Sequence, residues 1–253
     1  CLAVGDGAAA NIGSGCVDES RIALTVGTTA ALRVVSGDIL PHVPEGLWGY
    51  RVDGQYLLIG GATTEGGNIF QWAQQTLNLG DDLETELMKR TPDSHGLTFL
   101  PLLAGERSPG WANNATGAII GLRLSTTPVD MVQAALEGVA LRLSLIADQL
   151  SDLVDPSVPL VGGGGAVRES PAWAQIIANA INRPLHISED TEITARGVAI
   201  LALHALGLCG LTDFPPRIVQ TIEPTPAIVA ALRAARERQV ALYQQTVGNN
   251  TPV

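Results

Sequence analysis

The sequence has very few cations. It carries a single lysine, Lys89. The 253 residues include 15 Lys and Arg but 25 Asp and Glu, so the formal net charge of the chain is −10. Proteins that bind nucleic acid or anionic membranes need clustered cations to neutralise phosphates. The composition therefore argues against both kinds of partner. With 46% hydrophobic residues, the chain is too apolar to be disordered and long enough to bury a sizeable core.

Long apolar runs and paired cysteines are also missing. No run of eighteen apolar residues is present, so no transmembrane helix is expected. The three cysteines, Cys1, Cys16 and Cys209, cannot pair completely and show no CxxC or Cys/His spacing. We interpret them as reduced thiols of a cytoplasmic protein, rather than as a disulfide framework or a zinc site.

Several catalytic motifs are absent as well. No Gly-Lys-Ser/Thr follows the glycine run 162–165, which excludes a Walker A loop. The dinucleotide pattern GxGxxG fails because Val167 stands where its third glycine belongs, and this disfavours a dinucleotide-dependent oxidoreductase. The sequence contains neither a GxSxG motif nor a Ser-His-Asp arrangement, so it does not indicate a serine hydrolase.

The hydrophobic pattern predicts an α/β fold. The first part of the chain reads as an antiparallel meander, with strands at 21–26, 30–35, 47–52 and 55–59 and a turn at Asp53-Gly54. Strand–helix units follow and predict a mixed sheet flanked by helices. The later strands are predicted at 158–161 and 185–187, and the helices at 68–79, at 127–150, after a cap at Ser170, at 193–206 and at 225–246.

Glycine is abundant, with 28 residues, and it clusters at 5–15, 60–67 and 162–165. In the first cluster, Asp6 stands between two glycines ahead of an Ala-rich helical segment. The carboxylate there can cap the helix, or it can act as an ionised proton acceptor in catalysis. The spacing alone leaves both interpretations open.

Three glycine-rich turns are candidates for an anion or nucleotide site. The turn at Gly27-Thr28 can hold phosphate oxygens through N–H groups and a hydroxyl, although alone it is better explained as an ordinary hairpin turn. The loop 60–67 opens a helix that carries Gln71, an arrangement that suits an anion. The run 162–165 costs much folding entropy, which favours close contact between its main chain and a nucleotide.

A further loop contains two adjacent charges of opposite sign. Glu106 and Arg107 lie in a Gly/Pro-rich segment at 103–111. Such a pair is usually structural, and we interpret it as an ion pair that pins the loop.

In their order and spacing, these five segments resemble the C-terminal half of the FGGY family of carbohydrate kinases, from Gly5 to about Gly207. Glu106-Arg107-Ser108-Pro109 and the run 116–122 are most similar to gluconokinases and next to xylulokinases. The resemblance implies an actin-like, ribonuclease-H-like fold. In that fold two domains flank a cleft, and the first holds mainly the sugar and the second mainly ATP.

The resemblance also implies roles for individual residues. It makes Asp6 the catalytic base. The expected nucleotide-binding residues are Gly27 and Thr28 in the phosphate turn, Gly67 and Gln71 at the helix-opening loop, and Gly164 and Gly165 in the adenosine loop. Some members carry an Asn four residues after the last of these glycines, where this chain has Glu169. Arg107 is a weaker candidate for a loop near the cleft.

One departure from the family is large. Its members are about twice as long and begin with an Asp-x-Gly-Thr phosphate loop, which this sequence lacks. We therefore expect residues 1–20 to be the terminal piece of the N-terminal sugar-binding domain and residues 21–253 to be the C-terminal nucleotide-binding domain. The expected partners are a sugar or sugar acid and the missing N-terminal domain of the same enzyme, and a homodimer is also allowed.

The activity that the resemblance implies is transfer of a phosphoryl group from ATP, with Mg²⁺, to a hydroxyl of a sugar or sugar acid. A gluconate-like acceptor is favoured and xylulose comes next, while the fragment alone is expected to be inactive. The alternative is a non-catalytic actin-like ATP-binding or assembly protein. Such a protein would keep the glycine loops but would not need Asp6.

Overall fold

The computed structural model describes residues 3–37 and 43–248, so Cys1 lies outside the described residues. The helices are α1 Asp6–Gly13, α2 Gly67–Thr76, α3 Leu83–Lys89, α4 Pro128–Gln149, α5 Gly165–Glu169, α6 Pro171–Ile181, α7 Ile193–Ala205 and α8 Pro226–Thr246. The strands are β1 Ile22–Val26, β2 Ala30–Ser36, β3 Trp48–Arg51, β4 Leu57–Thr63, β5 Thr98–Leu100, β6 Ala118–Ile120, β7 Leu160–Gly163, β8 Leu185–Ser188 and β9 Ile218–Ile222.

Seven of these strands form one mixed sheet in the order β3-β4-β2-β1-β7-β8-β9. β1 pairs antiparallel with β2 and parallel with β7, which in turn pairs parallel with β8. The strands β5 and β6 form a separate two-stranded sheet. The predicted class, an α/β domain with a mixed sheet flanked by helices, is confirmed.

The predicted meander is correct in direction but wrong in strand order. β2 pairs with β4, and β3 lies outside β4 at the edge of the sheet. The β3–β4 hairpin itself is confirmed, because the Asp53 carboxylate closes its turn by accepting the amides of Gln55 (2.7 Å) and Tyr56 (2.9 Å). Local periodicity predicts strands, but it does not say which strands pair.

The two faces of the sheet carry different helices. Leu32 and Val34 of β2 contribute to the main core, which includes α4, whereas Val35 packs with Ala8 and Ile12 of α1. This alternation is the ordinary period of two along a strand. It places α1 and α4 on opposite faces.

The long helix α4 begins as the sequence predicts. The Thr127 hydroxyl accepts the Asp130 amide, and the Asp130 carboxylate accepts the Thr127 amide at 2.7 Å, with Pro128 in the first helical position. These are the contacts of a capping box. α6 is likewise capped by Ser170, whose hydroxyl accepts the Trp173 amide.

Two of the three glycine clusters extend into strands, where the sequence predicts loops. Gly60 and Gly61 belong to β4, and a Cβ on Gly60 would lie 2.4 Å from a main-chain oxygen of β2. Gly162 and Gly163 belong to β7, so only Gly164, with φ of +98°, turns the chain into α5. Half of the glycines in the clusters 60–67 and 162–165 therefore serve close packing inside the sheet.

The segment 1–20 contains α1, which packs onto α7 and onto the same sheet as the rest of the chain. A domain boundary at residue 20 stays a prediction. Within 3–37 and 43–248, no helix combines the length and the apolar character that crossing a bilayer requires.

Candidate functional site

A cleft of about 510 Å³ opens where β1 and β7 end and α2 and α5 begin. In α/β sheets, ligands bind in the crevice beyond the carboxyl ends of the strands. Five of the six predicted nucleotide-binding residues line this cleft: Gly27, Thr28, Gly67, Gln71 and Gly165. Its other lining residues are Val26, Asn68, Phe70, Glu84, Leu136, Ala166, Glu169, Ser170 and Trp173.

The turn after β1 is held by the start of α2. The Gly67 amide donates to the Gly27 carbonyl at 2.6 Å, and the Asn68 amide donates to the Thr28 carbonyl at 3.3 Å. These two amides are therefore used within the chain, where they fix the turn. Thr28 remains exposed on the cleft.

Bare main chain forms this end of the cleft. A Cβ on Gly67 would lie 2.9 Å from the Gly27 carbonyl oxygen, and one on Gly164 would lie 2.6 Å from the Val26 carbonyl oxygen. A Cβ on Gly27 would meet no atom within 4 Å and would take up space at the cleft. Gly67 and Gly164 are thus required by close packing of the main chain, whereas Gly27 leaves backbone open to a ligand at the cleft, which is how phosphates are commonly held.

Another wall of the cleft is apolar. It is built by Phe70, Leu136, Ala166 and Trp173 from four different helices. The Trp173 indole N–H donates to the Leu136 carbonyl at 3.1 Å, so the ring is held in place. An apolar slot beside a polar, glycine-lined end suits a nucleotide, whose base is flat and whose phosphates are charged.

Two carboxylates also line the cleft. Both oxygens of Glu84 are already used, because they accept the Ser170 hydroxyl (2.7 Å) and the Ala172 amide (2.8 Å). Glu169 lies with one carboxylate oxygen 3.4 Å from the position of a Cβ on Gly165. These residues fit a Mg²⁺ ion that is carried by phosphate oxygens and water, rather than one enclosed by protein carboxylates.

Sequence reasoning missed part of the lining of this cleft. Glu84 lies on α3, a helix that the sequence does not predict, and the sequence predicts Ser170 only as a helix cap and gives Trp173 no role at the cleft. Their contribution depends on how helices from distant parts of the chain pack together. No local signal in the sequence marks it.

Asp6 is not among the residues that line the cleft. It is the exposed first residue of α1, with Gly5 in the N-cap position, and its carboxylate accepts the Gly7 amide at 2.7 Å. Arg33 lies near the start of α1 and also contacts β1. One guanidinium nitrogen of Arg33 donates to the Thr25 hydroxyl in β1 (2.6 Å), and another lies 3.3 Å from the Cβ position on Gly7.

The predicted ion pair between Glu106 and Arg107 is wrong. Glu106 pairs instead with Arg142 of α4, and it also accepts the Tyr243 hydroxyl at 2.6 Å. Arg107 is exposed and is not a lining residue of the cleft. The loop is pinned as expected, but by partners that lie far from it in the sequence.

A second cluster brings Asp93, His95 and Glu137 close enough to consider a metal ion. The Leu97 amide donates to Nδ1 of His95 at 2.9 Å, which leaves the proton on Nε2, and Nε2 lies 3.1 Å from the Glu137 carboxylate. The imidazole therefore donates to Glu137 and has no free lone pair for a metal. We interpret the cluster as a hydrogen-bond network that ties this loop to α4.

Comparison with known proteins identifies the family. Residues 22–206 match the model of the C-terminal domain of the FGGY family of carbohydrate kinases. Gluconokinase from Bacillus subtilis is 28% identical over 219 residues, which cover 81% of this chain and 43% of that enzyme. The chain thus spans about half the length of the curated relatives it matches.

Solved structures agree with the sequence match. A ligand-bound xylulose kinase from Lactobacillus acidophilus superposes with a TM-score of 0.87 at 27% identity, over 97% of this chain and 52% of that one. Gluconate kinase from the same organism superposes with a TM-score of 0.86 at 28% identity and the same coverage. The predicted actin-like ATPase fold is confirmed by these neighbours. The chain belongs to the FGGY family of carbohydrate kinases and represents its C-terminal part.

Proposed function

We propose that the intact protein transfers the γ-phosphoryl group of ATP to a hydroxyl of a sugar or sugar acid, with this chain as its nucleotide-binding half. A gluconate-like acceptor is favoured, and xylulose comes next. The observation that carries the proposal is the convergence of Gly27, Thr28, Gly67, Gln71 and Gly165 on one cleft. Gly164, the sixth expected residue, adjoins the cleft through Val26.

In this proposal the glycine end of the cleft holds the triphosphate and the apolar wall holds the adenine. The Thr28 hydroxyl and the main chain of the turn donate hydrogen bonds to phosphate oxygens. A Mg²⁺ ion bound with the nucleotide would supply positive charge beside the phosphates. An acidic protein can bind an anion in this way because neutralisation is local and does not depend on net charge.

Asp6 is proposed as the catalytic base. The acceptor hydroxyl oxygen bonds to the γ-phosphorus, its proton passes to the Asp6 carboxylate, and the bond to the β–γ bridging oxygen breaks to release ADP. The exposed position of its carboxylate at the start of α1 supports this role, because a substrate can reach it there.

The remaining half of the cleft is assigned to an N-terminal domain of the same enzyme, of which residues 1–20 would be the last piece. Closure of the two domains would exclude water and limit hydrolysis of ATP. We expect the intact enzyme in the cytoplasm, where it would draw on the ATP pool.

The base assignment is tested by Asp6→Asn in the full-length enzyme. We expect kcat to fall about 10²- to 10⁴-fold, while ATP affinity stays nearly unchanged. Asp81→Asn, at an exposed position away from the cleft, is the control and should leave both values unaltered. Unchanged turnover in Asp6→Asn would refute the assignment.

The nucleotide assignment is tested on the present chain by calorimetry with Mg-ATP. We expect weak binding and no phosphorylation of sugar, because half the cleft is missing. A folded sample without any nucleotide binding would contradict the proposal. Concentration-dependent polymerisation would instead favour the assembly protein, an alternative that the kinase relatives do not support.

A further inference from the structure

Arg33 is a nearly buried cation without an anionic partner. Arg33 is 9% exposed, and it forms no ion pair with any residue in 3–37 and 43–248. By contrast, Arg142, which is 3% exposed, pairs with Glu106. Arg33 donates one hydrogen bond, to the Thr25 hydroxyl, and its Nε has no hydrogen-bond partner among residues 3–37 and 43–248. Most of its donor capacity is therefore unused in the described part of the chain.

Such an arrangement is unfavourable unless something compensates for it. Burial lowers the pKa of Arg33, while the nearby Tyr50 and Asp6 act in the opposite direction. A buried charge normally finds an ion pair or a full set of hydrogen bonds. Arg183, the other arginine with similar burial, satisfies this by donating to two main-chain carbonyls at 2.8 Å.

The guanidinium also lies at the start of α1. One of its nitrogens is 3.3 Å, and the Tyr50 hydroxyl is 2.6 Å, from the position that a Cβ on Gly7 would take. Gly7 directly follows Asp6. The guanidinium of Arg33 and the phenol of Tyr50 thus lie close to the start of α1, where Asp6 carries its carboxylate. Tyr50 is held there by stacking on Trp48, with ring centroids 5.2 Å apart.

We propose that Arg33, with Tyr50 beside it, binds the carboxylate of a sugar-acid acceptor and selects it over neutral sugars. This inference rests on the proposed kinase function and deepens it. A guanidinium presents a planar fork that matches a carboxylate, and the bound anion would supply the missing partner of the buried charge. A neutral sugar would leave that charge uncompensated, which is the basis of strong discrimination.

The test uses the full-length enzyme, with gluconate as the acid and glucitol and xylulose as neutral acceptors. Arg33→Met should raise KM for gluconate about 100-fold and change kcat/KM for either neutral acceptor less than about threefold. Arg33→Lys keeps the charge but loses the fork, so KM for gluconate should rise about tenfold. Arg51→Met, an exposed arginine on the edge strand β3, is the control and should behave as wild type.

Two results would overturn the inference. An unchanged KM for gluconate in both variants would show that the carboxylate binds elsewhere. An equal fall in kcat with acidic and neutral acceptors would show that Arg33 positions Asp6. Calorimetry of gluconate binding to the full-length protein tests this inference separately from the proposed kinase function. Loss of gluconate binding in Arg33→Met supports the inference even if no phosphoryl transfer is detected. Retained gluconate binding contradicts it.

Discussion

The main chains of Gly13 in α1 and Gly197 in α7 are in contact where the two helices cross. A Cβ on Gly13 would lie 1.7 Å from the Ile193 carbonyl oxygen, and a Cβ on Gly197 would lie 1.7 Å from the Ala9 carbonyl oxygen. Both glycines are buried. The position of α1, and with it that of Asp6, therefore depends on two residues that have no side chain.

Gly197→Ala should destabilise the chain by about 3 kcal/mol, because the added methyl group overlaps main-chain atoms that cannot rotate away. Urea denaturation measures the free energy of unfolding. Gly80→Ala is the matched control, since a Cβ there meets no atom within 4 Å, and it should change stability by less than about 0.5 kcal/mol. Equal stability of the two variants would contradict the close crossing.

Gly27→Val should weaken nucleotide binding without weakening the fold. The side chain would project into open space at the cleft, where no protein atom lies within 4 Å of the new Cβ. We expect Mg-ATP affinity to fall at least about tenfold, roughly 1.4 kcal/mol, with Tm nearly unchanged. Calorimetry and thermal melting of the chain measure the two quantities.

The matched control for this variant is Gly54→Val. Gly54 also has open space around its Cβ position, but it lies on the β3–β4 turn, away from the cleft. It should leave Mg-ATP affinity unaltered. If both variants bind nucleotide as the wild type does, the cleft is not where the triphosphate binds.

The sequence predicts elements well where local signals are strong. α4 has a capping residue, a proline at its first position and a long apolar stripe, and its start at Thr127 is confirmed. The strand order is wrong because the β2–β4 pairing joins segments that are not consecutive strands. α3 is short and was missed, although it brings Glu84 to the cleft.

The candidate site, too, is predicted only where a local sequence signal marks it. Glycines mark the main-chain end of the cleft in the sequence, because a close approach to backbone requires that residue type. The apolar wall around Leu136 and Trp173 has no such mark, since core residues look alike wherever they pack. The unpaired state of Arg33 also becomes visible only when its three-dimensional neighbours are known.

Arg142→Met should destabilise the chain by about 3–5 kcal/mol, because it leaves the buried carboxylate of Glu106 without its cation. The Tyr243 hydroxyl would remain as a donor to that carboxylate, and burial together with Glu106 already raises the pKa of Tyr243. The double variant Arg142→Met/Glu106→Leu removes both charges and should recover much of the loss. Urea denaturation checks this, and a double variant no more stable than the single one would contradict the argument.

Glu65 makes stability depend on pH. It is 2% exposed and accepts the Ala104 amide at 2.9 Å, but loss of hydration raises its pKa to about 6, and Glu106 acts in the same direction. The folded state therefore binds this proton more tightly than the unfolded state does. Accordingly, the free energy of unfolding should fall as pH rises from about 4.5 to 6 and then level off, with a limiting loss of about 2 kcal/mol.

Glu65→Gln should remove this dependence, because the amide oxygen can still accept the Ala104 amide but carries no charge. Relative to wild type, the variant should gain about 1 kcal/mol of stability between pH 5.0 and 7.5, measured by urea denaturation at each pH. Glu86→Gln, at an exposed position on α3, should show no such gain. A stability difference between Glu65→Gln and wild type that stays constant with pH would mean that the buried carboxylate is as well stabilised in the fold as it is in water.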